Sequence, residues 1–168
     1  MGDNLVFDLL DQRVIDGQFE QTVVRAGKRD LDVAALVELS GSYGGALRQW
    51  GAEPGRAVRL GSVDSLASVV ALLGVLRIGA VVDLADAAEL DATDLDYGVA
   101  IGAGRTDPAD ATRVADDAPA VVLPDRSVVT HRDLVAAVTA EDRFEGAFGT
   151  ILAALRALQR GDVLVYAA

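Results

Sequence analysis

Ser65-Leu66-Ala67-Ser68-Val69-Val70-Ala71-Leu72-Leu73-Gly74-Val75-Leu76-Arg77-Ile78-Gly79-Ala80-Val81-Val82-Asp83-Leu84 decides the fold. Its first fourteen residues are apolar at nearly every position, broken only by serines, Gly74 and Arg77. A helix apolar all round is covered on several sides, so burial inside the chain is expected ahead of a subunit contact. Gly79 then supplies the left-handed turn that ends a helix, and Ala80–Leu84 reads as a strand. The order strand, helix, glycine, strand marks a parallel βα unit.

The same punctuation recurs on either side. Ala34–Trp50 reads as a helix closed by Gly51, with a β-rich run at Ala57–Val63. Phe144–Arg160 reads as a helix closed by Gly161, with a strand at Asp162–Tyr166. Tyr97–Ile101 and Ala120–Leu123 are short Val/Ile-bearing runs expected as strands buried on two faces. Thr22–Arg25 and Leu31–Val33 flank a turn and read as a hairpin. Asp64 is expected to cap the helix at Ser65. Asp107-Pro108 is expected to open a helix, and Thr130-His131-Arg132-Asp133 has capping-box spacing. The fold class is α/β, a mainly parallel sheet flanked by helices, in one domain over residues 1–168.

Composition narrows the function. The chain has 168 residues, no cysteine, one histidine and a formal net charge of -11. Disulfides and thiolate chemistry are excluded, and a zinc site would have to rest on carboxylates. An acidic chain repels phosphate backbones and anionic lipid, so neither nucleic acid nor membrane is expected as a partner. Met1–Leu10 lacks the basic segment and apolar run of a secretory leader. Leu66–Leu76 falls short of the ~20 residues that span a bilayer. A cytoplasmic location is expected.

Several stretches, in collinear order over about residues 20–168, resemble the opening half of the adenylate-forming enzymes (acyl-CoA synthetases, peptide-synthetase adenylation domains, luciferases). Thr22–Leu47 resembles the hairpin and helix around that family's LTYxEL signature, with Leu31-Asp32-Val33-Ala34-Ala35-Leu36 in its place. Trp50–Val63 resembles the GVxPGDRV entry to a core strand, with Arg56 where aspartate is usual. Ser68–Leu84 resembles ALLAVLKAGAVVVPL, and Phe148–Tyr166 resembles the next helix and strand. Ala118–Val138, APAVVLPDRSVVTHRDLVAAV, resembles a strand and the VxxTHxNL segment. The phosphate loop TSGTTGxPKG that joins them in the family is reduced to Pro124-Asp125-Arg126-Ser127.

The resemblance implies an adenylation fold shortened until it cannot activate a carboxylate. A reacting polyphosphate is held by converging backbone N–H groups, a lysine and Mg²⁺. That loop and its lysine are absent, and Asp125 would repel phosphate. The expectation is a noncatalytic binding or assembly protein that takes no cofactor and no metal and pairs with itself or with another protein. The helices Ser65–Ile78 and Phe144–Leu158 are the expected contact elements. The alternatives are one half of a split adenylating enzyme, or a repurposed enzyme using His131 with Asp125 or Ser127. For that enzyme no elbow motif is present, and the bland reading of His131 is a first-turn helix residue.

Other features have ordinary readings. Gly102-Ala103-Gly104-Arg105 half-resembles a dinucleotide turn but lacks its third glycine, so a plain βα turn is expected. The acidic run Asp83–Asp96 lacks calcium-loop spacing and reads as an exposed loop. Gly41, Gly44 and Gly45, costly inside a helix, are expected to allow close packing.

Overall fold

A computed structural model describes residues 4–167. Met1 to Asp3 and Ala168 lie outside the described residues. The leader reading of Met1–Leu10 and the expected span 1–168 therefore extend beyond them.

Two sheets form the frame. β1 (Thr22–Ala26) pairs antiparallel with β2 (Arg29–Asp32), as the hairpin reading expects, and parallel with β8 (Leu164–Tyr166). The larger sheet has the order β5-β3-β4-β6-β7. Its strands are β3 (Ala57–Arg59), β4 (Val81–Asp83), β5 (Leu90–Asp91), β6 (Pro119–Val122) and β7 (Val128–Thr130). All neighbours in it are parallel except β6 and β7. The fold is α/β and mainly parallel. The third glycine-ended helix feeds a strand of the small sheet, so it closes the chain onto its own N-terminal hairpin.

Between β3 and β4 runs α3 (Leu66–Arg77). Ser65, and not Asp64, is its N-cap, accepting from the Ser68 N–H. Ser68 returns the contact, taking the Ser65 N–H at 2.9 Å, which leaves Asp64 outside the box. Val69 through Arg77 are all buried, so the expected subunit-contact role of this helix is corrected. Only its first turn is half open.

The main cover over α3 is α2 (Val33–Gln49), capped by Asp32. The helices meet through glycines. A Cβ on Gly44 would lie 3.0 Å from Ile78, and one on Gly74 would lie 3.0 Å from the Tyr43 ring. A Cβ on Gly45 would meet the Asp107 carbonyl oxygen at 2.2 Å. Close packing is therefore the reason for these glycines. On the far side of α2 lies α4 (Tyr97–Gly104). Tyr97–Ile101 is thus helical, contrary to the strand expected. Asp96 caps it by accepting from the Val99 N–H at 2.8 Å, and a short apolar run does not by itself separate buried strand from buried helix.

The expected helix at Pro108 is also absent. Residues 108–113 take no regular secondary structure, with the Ala109 N–H on the Gly41 carbonyl and the Thr112 N–H on the Arg77 carbonyl, both at 2.8 Å. Backbone partners in α2 and α3 take the place of helical bonds. The run Ala57–Val63 leaves the sheet after Arg59. The acidic stretch, expected as exposed loop, contributes edge strand β5 and buries Ala92. Two further helices are α5 (His131–Thr139) and α6 (Gly146–Arg160), and the apolar stripe of α6 faces inward.

The chain's first described turns, π-helical over Phe7–Asp11 and closing in α1 (Gln12–Ile15), lock the C-terminal end of α3. Arg77, only 2% exposed, donates to both Asp11 carboxylate oxygens at 3.0 and 2.6 Å and to Ser40 Oγ at 3.2 Å. The Asn4 side-chain amide donates to the carbonyls of Leu76, Arg77 and Thr112. These bonds satisfy carbonyls that a helix end otherwise leaves orphaned.

Three outcomes follow for stability, all readable by denaturant unfolding. Asp11→Ala leaves Arg77 buried and unpaired and is expected to cost about 3–5 kcal/mol. Gly102 in α4 has nothing within 4 Å of an added Cβ, so Gly102→Ala is expected to stabilise by about 0.5–1 kcal/mol. Gly45→Ala, against a backbone oxygen, is expected to destabilise by about 1–3 kcal/mol.

Candidate functional site

Where the resembled family carries its phosphate loop, β6 and β7 are joined by a tight hairpin. Pro124 sets the first corner and the Arg126 N–H bonds the Leu123 carbonyl at 2.8 Å. Arg126 takes φ +68°, and the Leu123 N–H closes the hairpin on the Ser127 carbonyl at 2.9 Å. The Asp125 carboxylate accepts the Ser127 N–H at 2.9 Å and the Ser127 hydroxyl at 2.6 Å. The Ser127 hydroxyl and N–H hold this carboxyl below its ordinary value. The Leu123, Arg126 and Ser127 amide protons are spent inside the turn. Phosphate binding needs such protons converging on an anion, and here an ionised carboxylate accepts one of them.

His131 opens α5, next to its cap Thr130, whose hydroxyl accepts the Asp133 N–H at 3.2 Å. The expected capping box is present. The imidazole is 5% exposed, and among the described residues neither ring nitrogen has a hydrogen-bond partner. Burial depresses its pKa below 6.5. His131 borders a concavity of about 240 Å³ with Leu5, Asp8, Val114, Asp116 and Val135. Asp125 and Ser127 do not line it. They sit at the hairpin tip, about 13 Å away along the extended strand that separates Ser127 from His131. The structure does not bring the three together, so no nucleophile–base pair is assembled.

A different region is concave, at the carboxyl ends of β3 and β4. Open α/β sheets bind ligands at the carboxyl ends of their strands, where successive connections leave in opposite directions. Here the chain passes from β3 to β4 on one side and returns to β5 on the other. Asp83, 2% exposed, ends β4 and accepts the N–H groups of Ala85, Ala87 and Ala88 at 2.9, 2.8 and 2.7 Å. Burial pushes its pKa up, but those three bonds and Arg59 outweigh it and hold the carboxyl low. Arg59 ends β3 and pairs with Asp86 and Asp91, pinning the acidic loop over the strand ends.

Under that loop lies a cavity of about 240 Å³, bordered by Tyr43, Leu60, Ser62, Asp64, Ala71 and Tyr97. A wider, more open hollow of about 420 Å³ adjoins it and shares Leu60, Gly61, Ser62 and Thr93. The Tyr43 hydroxyl donates to the Ala92 carbonyl at 3.3 Å, and its pKa is pushed up to about 12 by burial, with Asp91 and Tyr97 adding to it. The Tyr97 hydroxyl is buried with no partner, and burial raises its pKa. None of these residues was read as part of a site in the sequence. The available signal was Asp83, a lone acid closing an otherwise apolar strand. Gly102-Ala103-Gly104-Arg105 closes α4 and is no βα turn. Among the described residues, no group of three or more histidine or acidic side chains is placed to hold a metal ion. No described helix is long and apolar enough to cross a membrane.

No protein-family model and no curated protein matches the sequence. Solved structures do match. Coronafacic acid ligase from Pectobacterium brasiliense is similar at 13% identity and TM-score 0.76, over 98% of this chain and 45% of that one. A benzoate CoA ligase from Burkholderia xenovorans is similar at 18% identity and TM-score 0.74, over 98% and 45%. The NpsA N-terminal subdomain from Klebsiella oxytoca, in complex with anthranilyl-AMSN, is similar at 14% identity and TM-score 0.69, over 99% and 53%. The chain has the fold of the N-terminal subdomain of adenylate-forming enzymes and spans about half the length of the structures it matches, or less.

The unpartnered His131 sets a pH dependence. Its folded pKa lies below its unfolded one, so the unfolded state binds more protons and stability falls as pH drops below about 6.5. Unfolding measured between pH 7 and pH 5 is expected to show this loss, and His131→Phe is expected to remove it.

Proposed function

We propose that the chain is a noncatalytic binding or assembly protein built on an adenylation-type subdomain. The observation that carries this reading is the closed β6–β7 hairpin. In the resembled family the phosphate loop lies at this point, inside the matched region, so a turn with its amides already bonded replaces the phosphate cradle. Losing a single preorganised donor costs about 3 kcal/mol, roughly a hundredfold in rate. Here the donors and the loop lysine are absent together. The one lysine, Lys28, lies in the β1–β2 turn of the other sheet.

Half of a split ligase is the second reading. It draws on the length match, about half of each similar structure. A completing partner would have to bring a phosphate loop of its own, which weighs against it. A repurposed site at His131 is weaker still, because Asp125 and Ser127 stand apart from it. The proposed role is cytoplasmic, in a biosynthetic pathway, with a second copy or another protein as partner. With α3 enclosed and the α6 stripe turned inward, such a contact would use other surfaces.

Carboxylate-dependent ATP–pyrophosphate exchange by the purified chain is the test. No exchange above background is expected across aryl, acyl and amino acids. Turnover by the chain alone would end the noncatalytic reading, and exchange only on adding a second protein would favour the split enzyme.

A further inference from the structure

The geometry points to the cavity beneath the acidic loop as a binding site for a small organic cation, an ammonium group on an apolar body of about ten heavy atoms. The volume is suitable: about 240 Å³, where about 150 Å³ of apolar cavity already holds benzene. Its space comes from small residues. Gly61, Ala67 and Ala71 line it, and the nearest atom to a Cβ on Gly61 would be 3.9 Å away, on Thr93. It opens beside the first turn of α3, the only part of that helix not enclosed.

The wall supplies two kinds of contact. Tyr43, Leu60, Ala71, Leu95 and Tyr97 give an apolar body its lining, and tyrosine rings attract cations. Most polar groups in the wall are spoken for: Ser65 and Ser68 bond each other, and Thr93 bonds Asp91. Two that reach solvent are not: among the described residues the Ser62 hydroxyl has no partner and the exposed Asp64 carboxylate has no cation within ion-pair distance, while the Tyr97 hydroxyl, also unpartnered, is closed off from solvent.

The sign of the charge is set by what faces the mouth. Asp64 stands at the rim, and the covering loop carries Asp86, Glu89, Asp91, Asp94 and Asp96 with no basic residue. Arg59 answers two of these, and Arg56 lies beside Glu89. The positive end of α3 opposes a cation, but that half-charge is met by the Ser65–Ser68 capping box and by Asp64 itself. Arg29 and Arg105 act on the Tyr97 hydroxyl from nearby, but the carboxylates around the mouth still outnumber the guanidinium groups, so a carboxylate ligand would meet net repulsion. A cation can seat its body inside and leave its head hydrated beside Asp64.

This inference concerns a site apart from the β6–β7 hairpin, so it stands or falls separately from the noncatalytic reading. Calorimetric titration of the full chain with 2-phenylethylamine, 2-phenylethanol and phenylacetate tests it, since the three differ mainly in charge. The amine is expected to bind best and phenylacetate not at all. Asp64 caps nothing, so Asp64→Asn is expected to keep the fold and weaken the amine about three- to fivefold, as for an exposed ion pair. Ala67→Leu, in the open first turn, fills the cavity and is expected to abolish binding. Equal or better binding of the alcohol or the acid, or an amine affinity unmoved by either substitution, overturns the assignment.

Discussion

The structure is organised by one requirement: α3 has no polar face, so every side of it must be covered. Each fully buried Val or Leu contributes about 1.5–3 kcal/mol relative to exposure, and Val69, Val70, Leu72, Leu73, Val75 and Leu76 are all essentially inaccessible. The parallel strands on either end of α3, the glycine face of α2 and the chain's first turns together meet that requirement. The glycines let backbones approach where side chains would hold them apart. The single charge near the end of α3, Arg77, is tolerated only because Asp11 and Ser40 receive it inside the same contact.

That packing also decides where function can reside. With the core of α3 enclosed, only its first turn reaches solvent, and it does so at the carboxyl ends of the parallel strands. Asp83 and Arg59 hold the acidic loop across that opening. One folds the loop back through three backbone amides, and the other ties it down through two carboxylates. The result is a covered hollow with a negative rim, on the same side of the sheet as the hairpin that follows β6. At that hairpin the Leu123, Arg126 and Ser127 amides bond within the turn, and the sheet continues through it intact.

Much of the fold was legible from local chemistry. Glycines after helices, Thr130 before α5, and unbroken Val/Leu runs each state a local preference, and burial confirmed it for α2, α3, α5, α6 and most strands. Tyr97–Ile101 was misread because five residues of apolar sequence satisfy helix and strand alike, and only contact with α2 selects the helix. Asp107-Pro108 was misread because a good start signal is overridden when backbone partners in α2 and α3 are already in place. Asp64 lost the cap to its neighbour Ser65, which alone could exchange hydrogen bonds with Ser68.

The sequence by itself determined the α/β class and the enclosed helix, because these depend on residue types at short spacing. Tertiary structure alone decided that His131 is buried away from Asp125 and Ser127. It also decided that Arg77 finds Asp11 and that Tyr43, Asp64 and Tyr97 border one cavity. Arg77 and Asp11, like Tyr43, Asp64 and Tyr97, lie tens of positions apart, and the burial of His131 depends on what packs against α5; no local pattern encodes a distance that exists only after the layers have packed.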